Sequence, residues 1–307
     1  MIRTRSQTKK IEASVPLKAQ PKATQAAKSY EYSSLSECVP TAFEKTWNIY
    51  GIILDATYPH KTHGDSSHYV CTLKIADQLA EDGQIETCTL VLFGSKFEEL
   101  PICQRVGDII RVHRVTVTEY YGVKQFTSRL YFNSSWAIFT PIAHPKKNQK
   151  LGFISEDESE EAREFNPVRY FGKKYSQVCK EQQRIIRKLR EFNSKSITKD
   201  RIIECSKSLI KLSDIENLYK EGKQNHSFDL VAIVHKLDRI DEDHSELTLS
   251  DGKVEYAATV FTRKYRWLRE GQTIRVKNAT VYDQEQGSKK ISLPFHANIL
   301  TIIEKKD

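Results

Sequence analysis

Gly107-Asp108-Ile109-Ile110-Arg111-Val112-His113-Arg114-Val115-Thr116-Val117 returns as Gly271-Gln272-Thr273-Ile274-Arg275-Val276-Lys277-Asn278-Ala279-Thr280-Val281, with six identities held at one constant offset. The pattern Gly-x-x-Ile-Arg-Val-x-x-x-Thr-Val is therefore a duplicated element, and a chain of 307 residues has room for two domains of ordinary size. The repeat reaches upstream, where Phe93-x-x-Lys96-Phe97-x-x-Leu100 is matched by Phe261-x-x-Lys264-Tyr265-x-x-Leu268. Between that block and the shared glycine the first copy is longer, with Pro101-Ile102-Cys103-Gln104 as the natural insertion.

Around the first copy, the apolar residues follow strand patterns at Trp47–Thr57, Tyr69–Asp77, Glu86–Phe93, Asp108–Tyr120 and Gln125–Phe132, with Trp136–Phe139 beyond. Ser95–Leu100 is helix-like, and Pro101 stops it. Five strands with a short helix after the third is the order of an OB-fold, a small Greek-key barrel. The second copy predicts strands at Phe228–Leu237, Glu246–Ser250, Val254–Phe261, Thr273–Tyr282 and Ile291–Leu293, closing with Ile299–Ile303. Asp251-Gly252 supplies a tight hairpin turn there. The fold class is mainly β: two OB-fold Greek-key barrels in tandem, joined by a partly helical linker. The expected domains are a disordered basic tail over 1–33, a first barrel over 34–140, an acidic linker and helices over 141–225, and a second barrel over 226–307. In the linker, Val178, Ile185, Leu189 and Phe192 keep helical spacing, Thr198 can cap a second helix holding Ile202 and Leu209, and Ser213-x-x-Glu216 reads as a capping box for a third. Their apolar faces are expected to pack on the second barrel.

The net charge of +8 is concentrated at one end. Residues 1–30 hold seven Lys or Arg against Glu12, a net +6, so the body is almost neutral and a basic groove must come from local placement. No apolar run is long enough to cross a bilayer and no secretory leader is seen, which predicts a soluble intracellular protein. The six cysteines show no metal-ligand spacing and fit a reducing compartment. His60, His63 and His68 are the nearest approach to a metal cluster, but nothing completes the set, and solvated loop histidines are the better reading. With no phosphate-binding glycine loop, nucleophile elbow or zinc motif, neither an enzyme nor a cofactor or metal is expected.

What recurs is aromatic residues interleaved with Lys and Arg, the pairing that single-stranded nucleic acid requires: each base offers a face to stack on and each phosphate a charge. Lys74 stands between Leu73 and Ile75 and must face the outer side of its strand. Phe97, Phe132 and Trp136 read as core by alternation.

Asp55–Thr62 followed by Tyr69–Asp77, Leu90–Phe93 with Phe97–Ile102, and Gly107–Arg114 together resemble the first OB-fold of ciliate telomere end-binding protein alpha subunits and their relatives, the Protection of Telomeres proteins. Phe228–Ala232 and Ile274–Thr280 resemble the second, so the likeness covers about residues 30–303. It implies sequence-specific binding of the single-stranded, G-rich 3′ overhang of telomeres across two barrels, capping the end against nucleases and regulating telomerase, in the nucleus at chromosome ends. By resemblance the DNA-binding residues are Tyr58, Lys61, Lys74, Phe93, Tyr120, Gln125 and Phe126 in the first barrel, with Asp241, Tyr256, Arg275 and Lys277 in the second. Asp241 would accept hydrogen bonds from guanine N1 and N2. Lys277 stands where the family tends to have arginine, which removes a planar bidentate fork. The family's alpha subunits continue into a third OB-fold that docks a beta subunit, whereas this sequence ends after the second, so a beta-type partner is not expected; another telomere protein partner or self-association is left open. The competing readings are a general replication single-strand binder and an OB-fold protein-interaction subunit of a telomerase or telomere complex.

Overall fold

The computed structural model describes residues 30–41, 45–62, 67–79, 83–141, 164–172, 178–204, 209–220, 227–284, 288–294 and 296–303. The expectations for residues 1–29 of the basic tail, for His63 and for most of the acidic linker lie outside these residues.

The first barrel is built from β1 (Trp47–Ala56), the two-residue β2 (His60–Lys61), β3 (Tyr69–Leu79), β4 (Ile85–Gly94), β5 (Ile109–Tyr120) and β6 (Val123–Arg129). It closes in the order β1-β3-β4-β6-β5 and back to β1, with β4 and β6 parallel and the other pairs antiparallel. The second uses β10 (Phe228–Arg239), β11 (His244–Ser250), β12 (Glu255–Phe261), β13 (Thr273–Gln284) and β14 (Ser288–Ser292), and closes the same way with β12 and β14 parallel. Both are the five-stranded closure of the OB-fold. Two-residue alternation puts one row of each strand inside: Cys71, Leu73, Ile75, Leu90, Leu92 and Phe126 in the first core, and Leu247, Leu249, Ala258, Val260 and Ile291 in the second.

The repeat that decides the fold opens the fourth barrel strand of each copy, and its conserved positions act alike. Gly107 and Gly271 have φ of 92° and 76°, a region that favours glycine. The Gly107 amide donates to Ile53 O and the Gly271 amide to Val234 O, both at 2.8 Å. Seven residues after each glycine, Arg114 and Asn278 adopt φ of 58° and 59°. Their amides are capped from the first strand of the same barrel, by Asn48 Oδ1 at 3.2 Å and Asp229 Oδ1 at 3.1 Å. A sixth strand then extends the fourth in each copy: β7 (Ser135–Phe139) on β5, and β15 (Asn298–Thr301) on β13, while β8 (Arg169–Phe171) adds to β7.

The linker helices do not all go where their apolar faces predicted. Helix α1 (Lys180–Ser196) packs on the first barrel, its Ile186 and Leu189 against Tyr50, Ile52, Leu54 and Phe139. Thr198 caps α2 (Lys199–Glu204) as expected, but Leu209–Ile210 forms a short strand, β9, alongside β10. Helix α3 (Ile215–Lys220) and the turn before it lie on the second barrel, through Ile215 and Leu212, and α2 lies between the barrels, its Ile202 in one cluster with Leu300 and Ile302. Arg190 of α1 bonds Thr140 O and Glu164 O, at the two ends of the acidic linker. No helix among the described residues is long and apolar enough to cross a membrane. At the other end, Tyr32 and Leu35 are docked on the first barrel.

The barrels meet at the insertion. Thr301 N donates to Gln104 O and Val106 N to Thr301 O, both at 2.9 Å, and Asn298 Nδ2 donates to Ala56 O at 2.9 Å and Cys103 O at 3.3 Å. Leu300 and Ile302 of the second copy join the first copy's core. The residues that make the copies unequal in length are thus the strip on which the second barrel docks.

Candidate nucleic-acid interface

Cross-strand partners share a side of the sheet, so register fixes the outer face of the first barrel. Lys74, Thr89, Gln125 and Thr118 form one row across four strands, and Val70, Phe93 and Arg129 form another near the opposite end. Between them run Thr72, Val91, Thr127 and Thr116. Tyr120 follows Thr118 on the same side and is 60% exposed, edge-to-face with Tyr121 at the hairpin tip. The structure therefore brings Lys74, Phe93, Tyr120 and Gln125 together: a threonine-lined floor, a cation, and aromatic rings at both margins. Lys61 is exposed at the mouth of a cleft of about 500 Å³ lined also by Pro59, His60, Tyr69 and Phe97.

Phe126 does not belong to this face. It alternates with Gln125, points inward and is fully buried, as its counterpart Ile291 is. Phe132 goes the other way: the strand ends at Arg129, a single 3-10 turn follows, and Phe132 is 66% exposed beside Tyr131 and His68. Trp136 is core as expected, donating from Nε1 to Glu99 O.

Tyr58 is sealed in the seam between barrels. Its ring lies 5.5 Å from Phe97 on one side, and the Lys264 ammonium sits 3.6 Å above it. Lys264 also donates to Ala297 O, and burial pushes its ammonium down to about 7.

Arg275 and Lys277 are in the seam too. Arg275 Nη2 bonds Asp55 at 3.0 Å and Asp229 at 3.4 Å, its Nη1 donates to Ile202 O, and the residue is 3% exposed. Lys277 Nζ reaches the same two carboxylates at 2.8 and 3.2 Å. Burial alone would raise the Asp55 carboxyl, but the two cations outweigh it and hold it below its ordinary value. The expectation that these two cations face DNA is corrected: they neutralise a carboxylate of the neighbouring barrel.

In the second barrel Tyr256 pairs with the inward Leu249 and packs against the core, so it is not on the outer face. That face carries Thr248, Glu246, Thr259, Ser292 and Thr280, with Phe261 and Tyr282 40% and 38% exposed. Lys290 stands at the position of Gln125 and pairs with Glu246 at 2.5 Å. Phe261 is the repeat equivalent of Phe93; the upstream repeat already aligned them, and sequence reasoning carried only one forward. Asp241 is exposed at the adjoining turn, where its Oδ1 accepts the Asp243 and His244 amides at 2.7 and 2.6 Å, which lowers its pKa.

Residues 26–201 match the family model for telomeric single stranded DNA binding POT1/CDC13, more than half of the chain. The chain belongs to this family. Residues 217–306 match the model for the telomere end-binding protein alpha subunit OB2 domain. Among curated relatives, telomere-binding protein subunit alpha of Stylonychia mytilus is 32% identical and that of Sterkiella nova 30%, each over 98% of this chain. The chain spans 59% of the length of either relative. The crystal structure of fission yeast Pot1 and ssDNA matches at 14% identity over 90% of this chain and 89% of that one, with a TM-score of 0.39 that adds nothing to the assignment. POT1/CDC13 proteins are a binding family, not an enzyme family, and among the described residues no group of His, Cys, Asp and Glu could hold a metal ion.

Proposed function

We propose that this protein binds single-stranded, G-rich telomeric DNA across the outer faces of its two barrels. The observation that carries the reading is the first face: Lys74, Thr89 and Gln125 in one row, flanked by Phe93 and Tyr120, in a chain of the POT1/CDC13 family. Bases stack on Phe93 and Tyr120, phosphates meet Lys74 and Lys61, and the threonines and Gln125 offer hydrogen bonds to base edges. Phe261, Tyr282 and Asp241 serve the second barrel. The exposed Tyr131–Phe132 pair extends the first face past Arg129. Bound in this way, the strand is withheld from nucleases and telomerase, and the protein works without catalysis at chromosome ends in the nucleus.

Fluorescence anisotropy with G-rich telomeric repeats and mixed-sequence oligonucleotides of equal length tests this. Preference for the telomeric strand is expected, and equal affinity overturns the telomeric assignment.

A further inference from the structure

The second barrel has a polar cleft of about 840 Å³ with no counterpart in the charges of the first, lined by Arg239, Asp241, Glu242, Thr262, Arg266 and Arg269. Duplication provides the internal control. Aligning Phe261–Leu268 with Phe93–Leu100 sets Arg266 against Glu98 and Trp267 against Glu99, and Arg269 falls where the first copy begins its insertion at Pro101. In the first barrel Glu99 closes its own turn, accepting the Ser95 and Lys96 amides. The same turn in the second barrel is closed by backbone bonds, Tyr265 N to Thr262 O and Leu268 N to Tyr265 O, and Glu99's place is taken by Trp267, so the Arg266 side chain is not used to close it.

The acids in the cleft do not consume these cations. Glu242 pairs with Arg263, which also holds Asp243, and Asp241 is committed through Oδ1 to the turn amides and His244. The Arg269 guanidinium donates to Arg266 O and Leu268 O and is thereby fixed in place. The guanidinia of Arg239 and Arg266 have no hydrogen bond or ion pair among the described residues. Guanidinia gathered without carboxylate partners suit the paired non-bridging oxygens of a phosphate. The cleft adjoins the outer face, since the Thr262 that lines it follows the exposed Phe261, and Thr262 N bonds Asp243 O in the turn before His244.

We infer that this cleft is a phosphodiester site, in which Arg239 and Arg266 hold the backbone of the strand beside the base stacked on Phe261, with Arg269 as a fixed third donor. The inference rests on the proposed single-strand binding and adds to it an arginine-lined site for the backbone on the second barrel. Because both guanidinia are solvent-facing and build nothing in the fold, Arg239→Gln with Arg266→Gln should leave the folded protein intact.

The test uses the full chain and a G-rich single strand. For the double variant, the slope of log affinity against log salt should be shallower by about 1.4, two contacts at roughly 0.7 each on single strands. Affinity at 0.1 M salt should fall roughly tenfold, as for two exposed charge contacts. Replacing phosphodiesters one at a time with neutral methylphosphonates should find one or two adjacent positions that weaken wild type and leave the double variant unaffected. An unchanged slope, or methylphosphonate effects equal in both proteins, overturns the site while leaving the parent reading standing. A gain from a 5′-terminal phosphate that the variant loses, or competition by a phosphoserine peptide at the same arginines, also overturns it, by assigning the cleft to another ligand. If wild type binds no single strand at all, the parent reading fails first, and the two failures are distinguishable.

Discussion

Arg111 and Arg275 occupy one position of the repeat, point to the same side of the same strand, and are each 3% exposed, yet different neighbours bury them. In the first barrel the cover is the helix α1 and the N-terminal segment. Arg111 donates to Gln182 Oε1 at 3.0 Å, and Gln182 Nε2 in turn donates to Tyr32 Oη, which meets His113. In the second barrel the cover is the first barrel itself, and Arg275 meets Asp55. The capping residue one strand over follows suit: Asn48 is neutral under a neutral cover, and its counterpart Asp229 is charged beside Arg275 and Lys277. A duplicated barrel therefore carries a face that must be covered in both copies, and the chemistry of each cover decides whether the buried arginine is solvated by amides or paired with carboxylates.

Removing the two arginines is the strongest way to break this comparison. Arg275→Ala leaves Asp55 and Asp229 buried with only Lys277, and should cost about 3–5 kcal/mol of stability. Arg111→Ala leaves a neutral amide, with an expected cost of about 1–2 kcal/mol. Urea midpoints measure both, and equal losses would mean that the carboxylates add nothing to the seam.

The pH response separates the barrels next. Burial pushes the Asp108 carboxyl up to about 7, with Arg105 and Arg169 offsetting only part of that, whereas the second copy has the neutral Gln272 at this position. The fold favours the protonated acid, so its contribution is complete below the ordinary carboxylate pKa and is lost as pH rises through about 7. Asp108→Asn should therefore stabilise the protein at pH 8, by about 2 kcal/mol, and change little near pH 4. His113 slopes the opposite way: burial, then Arg111 and Arg114, push its ring down to about 3, so its contribution is complete above the ordinary histidine value and lost as pH falls. A stability profile for Asp108→Asn parallel to wild type from pH 4 to 8 would sink the assignment of the slope to this carboxyl.

These contrasts also show how far the sequence could be read. The strands were legible because two-residue alternation and a repeated glycine with positive φ are local properties, and the sixth strand of each copy was visible as an apolar run. Lys74 was legible for the same reason, a cation inside an apolar strand. Phe126 was misread because the resemblance supplied both members of an alternating pair and only Gln125 can face out; its counterpart Ile291 already signalled the inner row. Phe132 was misread because alternation was carried past Arg129, where the strand stops. The placement of Tyr58, Arg275 and Lys277 in the seam was not legible, since it depends on where one barrel lies against the other. The insertion was visible as extra length, but nothing in its residues announced that its carbonyls would receive Thr301 and Asn298.

Ring deletions sharpen the division between face and core. Phe93→Ala and Phe261→Ala should each cost about 1–3 kcal/mol of single-strand affinity with little loss of stability. Tyr256→Ala, on the core-facing row, should reverse this, lowering the unfolding midpoint while the folded fraction binds as wild type. A loss of affinity for Tyr256→Ala as large as for Phe261→Ala would return Tyr256 to the binding face.

The repeat glycines give the smallest contrast. A methyl at Gly271 meets nothing within 4 Å, so Gly271→Ala should show the cost of positive φ alone, about 1 kcal/mol. At Gly107 the added carbon would lie 2.9 Å from the amide of Asn193, at the end of α1, so Gly107→Ala carries that cost and must also displace the Asn193 side chain. The amide can swing aside, which keeps the expected difference to about 0.5–1 kcal/mol. Pairing each with Asn193→Ala isolates it: the extra cost should disappear for Gly107→Ala and leave Gly271→Ala unchanged. If it persists, the strain at Gly107 lies in the strand junction itself, and α1 does not press on it.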